Sequence, residues 1–335
     1  MEQLRIDEAE QKSIKLDKKD MILLSCLSDN SKIGINILAK HARLSKDAVI
    51  YRIRKLISSK VILGFYPNID FSKFKMKIFH MFAVLSEANK AKQEEWIEKI
   101  SQNPNVVQVI EYSDAWDIEV KIIAKNIENF DAIIENMIEG YDDIIQFKET
   151  SERIYLLADE LPPKELRVIN YQRQKKTEDA FYDHKDILIL KALCENARAS
   201  NYKIAKKVKL SPDTVRLRIN KMMSNGIIKG FSLKLNLSLL GYHLHSFVCE
   251  LSLFDFKMRK KIESYITNSS NIVSAKRMLG KWDLRFDLLT KTQPEFHHTI
   301  EEIKRELSSV IRRYEAWIVY QEHCFKTFPQ ALARL

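Results

Sequence analysis

The chain repeats itself at long range. Slid by 166 positions, Asp17 meets Asp183, Leu44 meets Leu210, Ser45 meets Ser211, Arg52 meets Arg218 and Gly64 meets Gly230. Residues 16–70 and 182–236 share 19 identities in 55 ungapped positions, and the same offset later pairs Trp116 with Trp282, Asp117 with Asp283 and Phe130 with Phe296. Solenoid repeats recur every roughly 20–50 residues, so a period of this length describes whole domains in series. The expectation is a tandem duplication with copies about 145 residues long, and the chain must hold whatever fold one copy adopts twice over.

Three helix signals open each copy. Asp17 caps the run LDKKDMILLSCLSDN, with Asp20 near the positive helix end. A short helix around INILAKHA follows, then the turn RLS, then a third helix from the cap Ser45. A tight turn before a third helix predicts a helix-turn-helix. On that helix Val49, Ile53, Leu56 and Ile57 fall on one stripe, repeated by Val215, Ile219, Met222 and Met223, and both stripes read as core. The opposite arc carries Lys46, Asp47, Tyr51, Arg54 and Lys55 in the first copy and Pro212, Asp213, Leu217, Asn220 and Lys221 in the second. Ile50 and Arg216 lie on the flanks with the matched Arg52 and Arg218. The segments VILGFY and IIKGFS that follow are β-rich and glycine-broken, which predicts a wing strand. Gly226 ends the third helix of the second copy where the first has Lys60, a lost cap of about 1 kcal/mol.

Charge is concentrated on these segments. The chain carries 55 Lys and Arg against 45 Asp and Glu, a net +10. Residues 37–60 and 203–226 each hold seven basic residues against one Asp, more than the whole excess between them. Clustered cations able to neutralise phosphates predict double-stranded DNA as the partner. A merely solvated basic face is the competing account, and it suits one helix better than two that keep the same excess.

Other chemistries find no footing. The seven glycines offer no GxG or GxxxxGK spacing, GxSxG and HExxH are absent, and Cys26, Cys194, Cys249 and Cys324 form no CxxC. No cofactor, metal or catalytic residue is therefore expected, and the thiols are read as reduced. His243 with His245, and His297 with His298, lack further converging ligands and read as packing or surface groups. No apolar run approaches the roughly 18 residues of a membrane span, so a cytoplasmic location without a membrane partner is expected.

The remainder of each copy reads as βαββαβ. In the first, the pieces are KIFHMFAVLS, the helix KAKQEEWIEKIS, strands NVVQVIEYS and WDIEVKIIA, the helix IENFDAIIENM and a strand around DIIQFKETSERIYLL. This order predicts an α+β fold with two helices covering one face of an antiparallel sheet. The other face remains to be buried, and the apolar alternation of these strands implies sheet-to-sheet association, between the copies or between chains.

Together these pieces resemble the leucine-responsive and asparagine-synthesis regulators, the Lrp/AsnC or feast/famine family. The match runs through LDKKD, LAKHARLSKDAVIYRIRKL and VILGFY, then YDHKD, IAKKVKLSPDTVRLRINKM and GIIKGF, and covers nearly the whole chain. With the periodicities above, it implies winged helix-turn-helix domains at 16–70 and 182–236 and ferredoxin-like (RAM-type) domains at 71–157 and 237–325. The N-terminal extension is then 1–15, the linker 158–181 and the C-terminal tail 326–335. DNA contacts are expected from Lys46, Asp47, Ile50, Tyr51, Arg54 and Lys55, and from Asp213, Arg216, Leu217, Asn220 and Lys221, with Arg52 and Arg218 on phosphates. In this family the sheet domain dimerises, often assembles further and binds an amino acid near the turn between its middle strands. There a glycine precedes an aromatic and an aspartate. The second copy has Gly280, Trp282 and Asp283 at that turn and the first has Asp114 for the glycine. The resemblance thus implies an amino-acid effector at the second copy and homo-oligomers through the sheets. Packing of the turn by Trp116 and Trp282 is the competing reading.

One chain holding both halves is expected to act as a covalent pseudo-dimer. Its outward residues differ, so its half-sites differ: Tyr51 and Arg54 suit guanine, Asn220 adenine and Leu217 a thymine methyl. The sirohaem decarboxylases have a similar architecture and rely on a histidine-bearing strand. At the equivalent VIEYSDAWDIEV and AKRMLGKWDLRF this chain has no histidine, and a non-enzyme is expected. A module that recruits transcription machinery is a third reading.

Overall fold

The computed structural model describes residues 4–5, 14–158, 161–167 and 181–334. A short strand β1 (Leu4–Arg5) precedes α1 (Lys18–Asp29), α2 (Ile35–Ala42), α3 (Lys46–Ser58) and β2 (Ile62–Ile69). Then come β3 (Lys77–Leu85), α4 (Lys90–Gln102), β4 (Val106–Tyr112), β5 (Ile118–Ala124), α5 (Ile127–Ile138) and β6 (Ile145–Ala158). The order returns as α6 (His184–Glu195), α7 (Asn201–Val208), α8 (Pro212–Ser224) and β7 (Ile228–Leu235). It finishes with β8 (His243–Leu251), α9 (Phe256–Asn268), β9 (Ile272–Leu279), β10 (Leu284–Thr290), α10 (Gln293–Glu306) and β11 (Ile311–Phe325). The fold class is α+β, with a winged helix-turn-helix and a βαββαβ module following one another twice. No helix among the described residues is long and apolar enough to cross a membrane.

Compact units cut across the sequence order. One takes residues 77–164 and 237–326 and so holds both sheet modules; the other takes 14–76, 165–236 and Thr327 onward and holds both three-helix modules.

In the sheet unit β6 and β11 each change partner midway. The first part of β6 pairs with β3 of its own half (Ile78↔Arg153, Ala83↔Lys148), and its end runs on to β9 of the other (Tyr155↔Arg277, Ala158↔Ala275). Strand β11 pairs first with β8 (Trp317↔Ser246) and then with β4 (Gln321↔Glu111, Cys324↔Val109). Tyr155↔Arg277 and Gln321↔Glu111 are the same joint under the 166-residue offset. Eight antiparallel strands thereby close in the order β11-β4-β5-β3-β6-β9-β10-β8 and back to β11, with β1 added beside β11. Sheet-to-sheet association was expected, and the two halves associate edge to edge, which removes the exposed edges that two open sheets retain.

The helices of this unit lie outside the barrel. Phe79, Met81, Val120 and Ile122 meet Trp96 and Ile100 of α4 and Phe130 and Ile134 of α5, while Phe247, Phe286 and Leu288 meet Ile262 and Ile266 of α9 and Ile303 of α10. Alternate strand residues point inward. There Phe82, Tyr112, Trp116, Trp282 and Trp317 form an aromatic cluster. Beside it runs a buried belt of charge, with Glu119, Arg285 and Lys276 only 0%, 2% and 3% exposed. Glu119 accepts hydrogen bonds from Arg285 Nη1 at 2.6 Å, Tyr112 OH at 2.5 Å and His80 Nδ1 at 2.6 Å. Arg285 also reaches Ser246 and Asp287, and Lys276 pairs with Asp287. Burial alone would raise both carboxyls, but Arg285 beside Glu119, and Lys276 with Arg285 beside Asp287, hold them well below the usual carboxylate range. Burial pushes His80 down to about 4, so its ring is neutral and Nδ1–H is the donor to Glu119.

Parts of the expected linker and tail pack against the fold. The linker expected at 158–181 lies mostly outside the described residues, but the Leu161 N–H donates to Val273 O at 2.7 Å and Leu166 is buried. The expected C-terminal tail makes a 3-10 turn, Gln330–Arg334, that buries Leu332, the residue matched to Leu166. The expected extension at 1–15 lies outside the described residues apart from 4–5 and 14–15.

The belt makes the fold sensitive to acid. An unfolded imidazole titrates near 6.5 and the folded His80 near 4, so between those values the unfolded state binds more protons. Stability that His80 lends above pH 6.5 is therefore lost as pH falls toward 4, on the order of 3 kcal/mol. The depressed carboxyls of Glu119 and Asp287 add a loss in the same direction as pH falls below the ordinary carboxylate range. Urea unfolding at about pH 7 and about pH 4.5 measures this. His80→Asn keeps a donor for Glu119 without a titrating ring, and its stability is expected to fall less than that of the unmodified protein over the interval. Equal falls would refute the assignment.

Candidate nucleic-acid interface

Local sequence builds each three-helix module. Asp17 and Asp183 cap α1 and α6 through capping boxes with Asp20 and Asp186. The turns before the third helices need a left-handed residue, supplied by Arg43 (φ 50) and Lys209 (φ 54). Ser45 Oγ and Ser211 Oγ then accept from the Ala48 and Thr214 amides at 3.1 Å and start α3 and α8. Lys19 and Lys185, which the sequence reading passed over, donate to the terminal carbonyls of α2 and α7, Ala42 O and Val208 O, and tie the first two helices together. Lys60 (φ 59) occupies the left-handed position that Gly226 (φ 72) takes in the second half, as the missing-cap expectation requires.

Val49, Ile53, Leu56, Val215, Ile219 and Met222 are buried, whereas Ile57 and Met223, expected in the core, are 44% and 39% exposed. Both lie at the edge of the stripe, one residue beyond Leu56 and Met222, where the helix turns away from its neighbours. The outward arc stands clear: Lys46, Asp47, Tyr51, Arg54 and Lys55 are exposed on α3, as are Asp213, Arg216, Leu217, Asn220 and Lys221 on α8, with Ile50 half-buried. Tyr51 and Leu217 are 67% and 64% exposed.

Arg52 and Arg218 behave otherwise. Arg52 Nη1 lies 2.7 Å from both Asp17 Oδ2 and Asp20 Oδ1, and Arg218 Nη1 lies 2.8 Å from Asp183 Oδ2 and 2.9 Å from Asp186 Oδ1. The Asp20 N–H and the Arg52 guanidinium hold the Asp17 carboxyl below its usual range. Expected on phosphates, these two arginines instead lock the third helix of each module to the start of the first. They face the carboxylates that cap α1 and α6, and a guanidinium so placed is already neutralised.

The wing strands do not fold back on their own modules. Strands β2 and β7 pair with each other, antiparallel, from Ile62↔Leu235 to Ile69↔Ile228. The Ser31 N–H donates to Phe231 O and the Ala197 N–H to Phe65 O, so the loop after the first helix of each half is pinned to the other half's strand. Lys32 and Arg198 reinforce the crossing, donating to Ala197 O and to the Ser31 and Ile33 carbonyls. One ribbon thus holds both third helices in a single compact unit.

The turn expected to hold an effector is occupied by the fold. Gly280 has φ 149, and a Cβ there would lie 2.9 Å from Ser151 Cβ, so close approach of β6 requires the glycine. Trp282 is buried against Trp317, and Asp283 accepts from the Leu251 N–H at 2.7 Å and from Arg277 Nη1 at 2.7 Å. In the first half Asp114 accepts from the Ile318 N–H at 3.0 Å. His245 stacks on Phe296, His243, His297 and His298 are exposed, and no group of metal-binding side chains converges among the described residues.

Paired three-helix modules with exposed cationic third helices, in a chain that also holds a closed barrel, define a winged helix-turn-helix protein of doubled build. A family model described as winged helix-turn-helix DNA-binding matches residues 182–229. The regulatory protein AsnC of Haemophilus influenzae is 31% identical over 142 residues, 42% of this chain and 91% of that protein. The transcriptional regulator AzlB of Bacillus subtilis is 25% identical over 155 residues, 44% of this chain and 99% of that protein. The crystal structure of the siroheme decarboxylase NirDL superposes with a TM-score of 0.60 at 14% identity, covering 95% of this chain and 96% of that one, a likeness of fold. The chain belongs to the AsnC/Lrp family of helix-turn-helix transcriptional regulators.

Arg218→Ala leaves Asp186, 4% exposed, without its cation. A stability loss of about 1–2 kcal/mol is expected in urea unfolding. The salt dependence of DNA affinity should not change. A slope shallower by about one unit would return the arginine to a phosphate.

Proposed function

We propose that the chain is a sequence-specific regulator of transcription that binds double-stranded DNA as a covalent pseudo-dimer. It arises from a tandem duplication, and it reads two half-sites that are not identical. One observation carries the reading: the exposed arcs of α3 and α8, held in one unit by the β2–β7 ribbon, differ where bases are read. Tyr51 and Arg54 face outward on one, Leu217 and Asn220 on the other. Arg54 suits the guanine edge, Asn220 the adenine edge and Leu217 a thymine methyl, while Lys46, Lys55, Arg216 and Lys221 suit phosphates. Two third helices that enter one duplex meet half-sites about 34 Å apart or a multiple of that. The reading includes modulation by an amino-acid-like effector near the turn of Gly280, Trp282 and Asp283, residues that also pack the turn and the barrel.

A tetrapyrrole-acting enzyme is the second reading, favoured by the likeness of fold to the siroheme decarboxylase. Against it stands the barrel interior, filled by Phe82, Trp116, Trp282 and Trp317. Absorbance titration with an iron tetrapyrrole separates the two, and saturable binding with a shifted Soret band would favour the enzyme.

Selection of bound sequences from a random duplex pool is expected to return a site with two unlike halves. Arg54→Ala should relax preference at one half and Asn220→Ala at the other, each by about 1–3 kcal/mol at the affected base. Recovery of a perfect inverted repeat sinks the proposal.

A further inference from the structure

Matched positions of the two halves touch one another only where the local twofold relation between them passes. Glu119 and Arg285 are such a pair: they lie 166 residues apart, occupy the same place on β5 and β10, and meet at 2.6 Å deep in the barrel. The halves therefore carry opposite charges at a point inside the barrel where matched positions face each other. Two N-terminal halves would bury Glu against Glu there, and two C-terminal halves Arg against Arg.

Charge also reverses at surrounding positions: Lys121 is matched to Asp287 and Glu111 to Arg277, while Lys276 is matched to the uncharged Ile110. Glu149 and Glu315 are matched like for like, and both lie 3.7 Å from the single cation Lys281, whose counterpart is Ala115. Two N-terminal halves would keep both glutamates and lose that lysine. Size complements charge. Trp317, 1% exposed, meets the rings of Phe82, Tyr112 and Trp116 from the other half and Trp282 from its own, whereas its counterpart is Ser151. Two serines at that place leave a void, and two tryptophans overfill it.

We propose that the barrel seam is a heterospecific interface, built to accept one N-terminal half and one C-terminal half and to reject two of either kind. The partner that fits is the opposite half, from the same chain or from a second copy exchanging halves. A buried like-charge pair without a counter-ion is the rejecting element, and the Trp–Ser complement is the shape that makes the correct pair fill the barrel.

The full-length chain tests this. Glu119→Arg creates the Arg–Arg contact of two C-terminal halves, and Arg285→Glu the Glu–Glu contact of two N-terminal halves. Each is expected to lower Tm by about 10 °C. The double variant restores an opposite pair with its members exchanged and is expected to unfold at a higher temperature than either single variant. A double variant that loses the sum of the two single losses overturns the proposal, as does a single reversal with no loss. If a reversal prevents folding, co-expression of the two single variants under different affinity tags decides. Exchange of halves between them restores an opposite pair at both seams, so one soluble complex carrying both tags is expected, and its absence overturns the proposal.

Discussion

The change of partner midway along β6 and β11 is the constraint on which the sheet unit depends. A βαββαβ sheet has two edges and one uncovered face, and each leaves backbone or apolar surface exposed. Extending the last strand past the limit of its own sheet answers both needs, because the extension adds to the other half's edge and the two additions together close the ring. Closure turns the uncovered faces into an interior. That interior must then be filled from both halves at once, which brings matched positions into contact.

Self-contact narrows what identical halves can place on a twofold axis. A residue facing its own copy must be apolar or able both to donate and to accept, since a charge would meet its like. A chain in which both halves are covalently present is free of that restriction, and Glu119 opposite Arg285 uses the freedom. Tyr112, Ser246, His80 and Asp287 surround the pair with hydrogen bonds, the condition under which charge this deeply buried is tolerated.

The βαββαβ order, the helix caps at Asp17 and Ser45, and the outward arcs of α3 and α8 were legible because each is local. A cap is set by one side chain and three amides, and a helical arc by a period of 3.6 residues. Strand partners were not legible. Alternation along β6 fixes which residues face inward but not which neighbour bonds its edge, and with two nearly equivalent neighbours in one chain the pattern is silent between them. The β2–β7 ribbon escaped for the same reason. Two signals were available and unread. Arg52 and Arg218 recur with Asp17 and Asp183 at one common spacing, as a brace does. The sign of charge reverses between Glu119 and Arg285 and between Lys121 and Asp287 on strands that otherwise match.

Counting charge overstates the free cations of the two basic segments, and the geometry corrects the count. Arg52 and Arg218 spend their guanidinium groups on the caps of α1 and α6, and Lys207 pairs with Glu195, so not every basic residue in the two segments is at the disposal of a phosphate. The remaining exposed cations are also unequal. On α7 the second half exposes Lys203 and Lys206, whereas the first half has exposed Ile37 and Lys40 at the matched positions of α2. The two modules therefore present different fields as well as different outward side chains. Because the ribbon pins each module to the other's backbone, that difference does not depend on the path of the linker: it is carried by main-chain hydrogen bonds that surface substitution leaves alone.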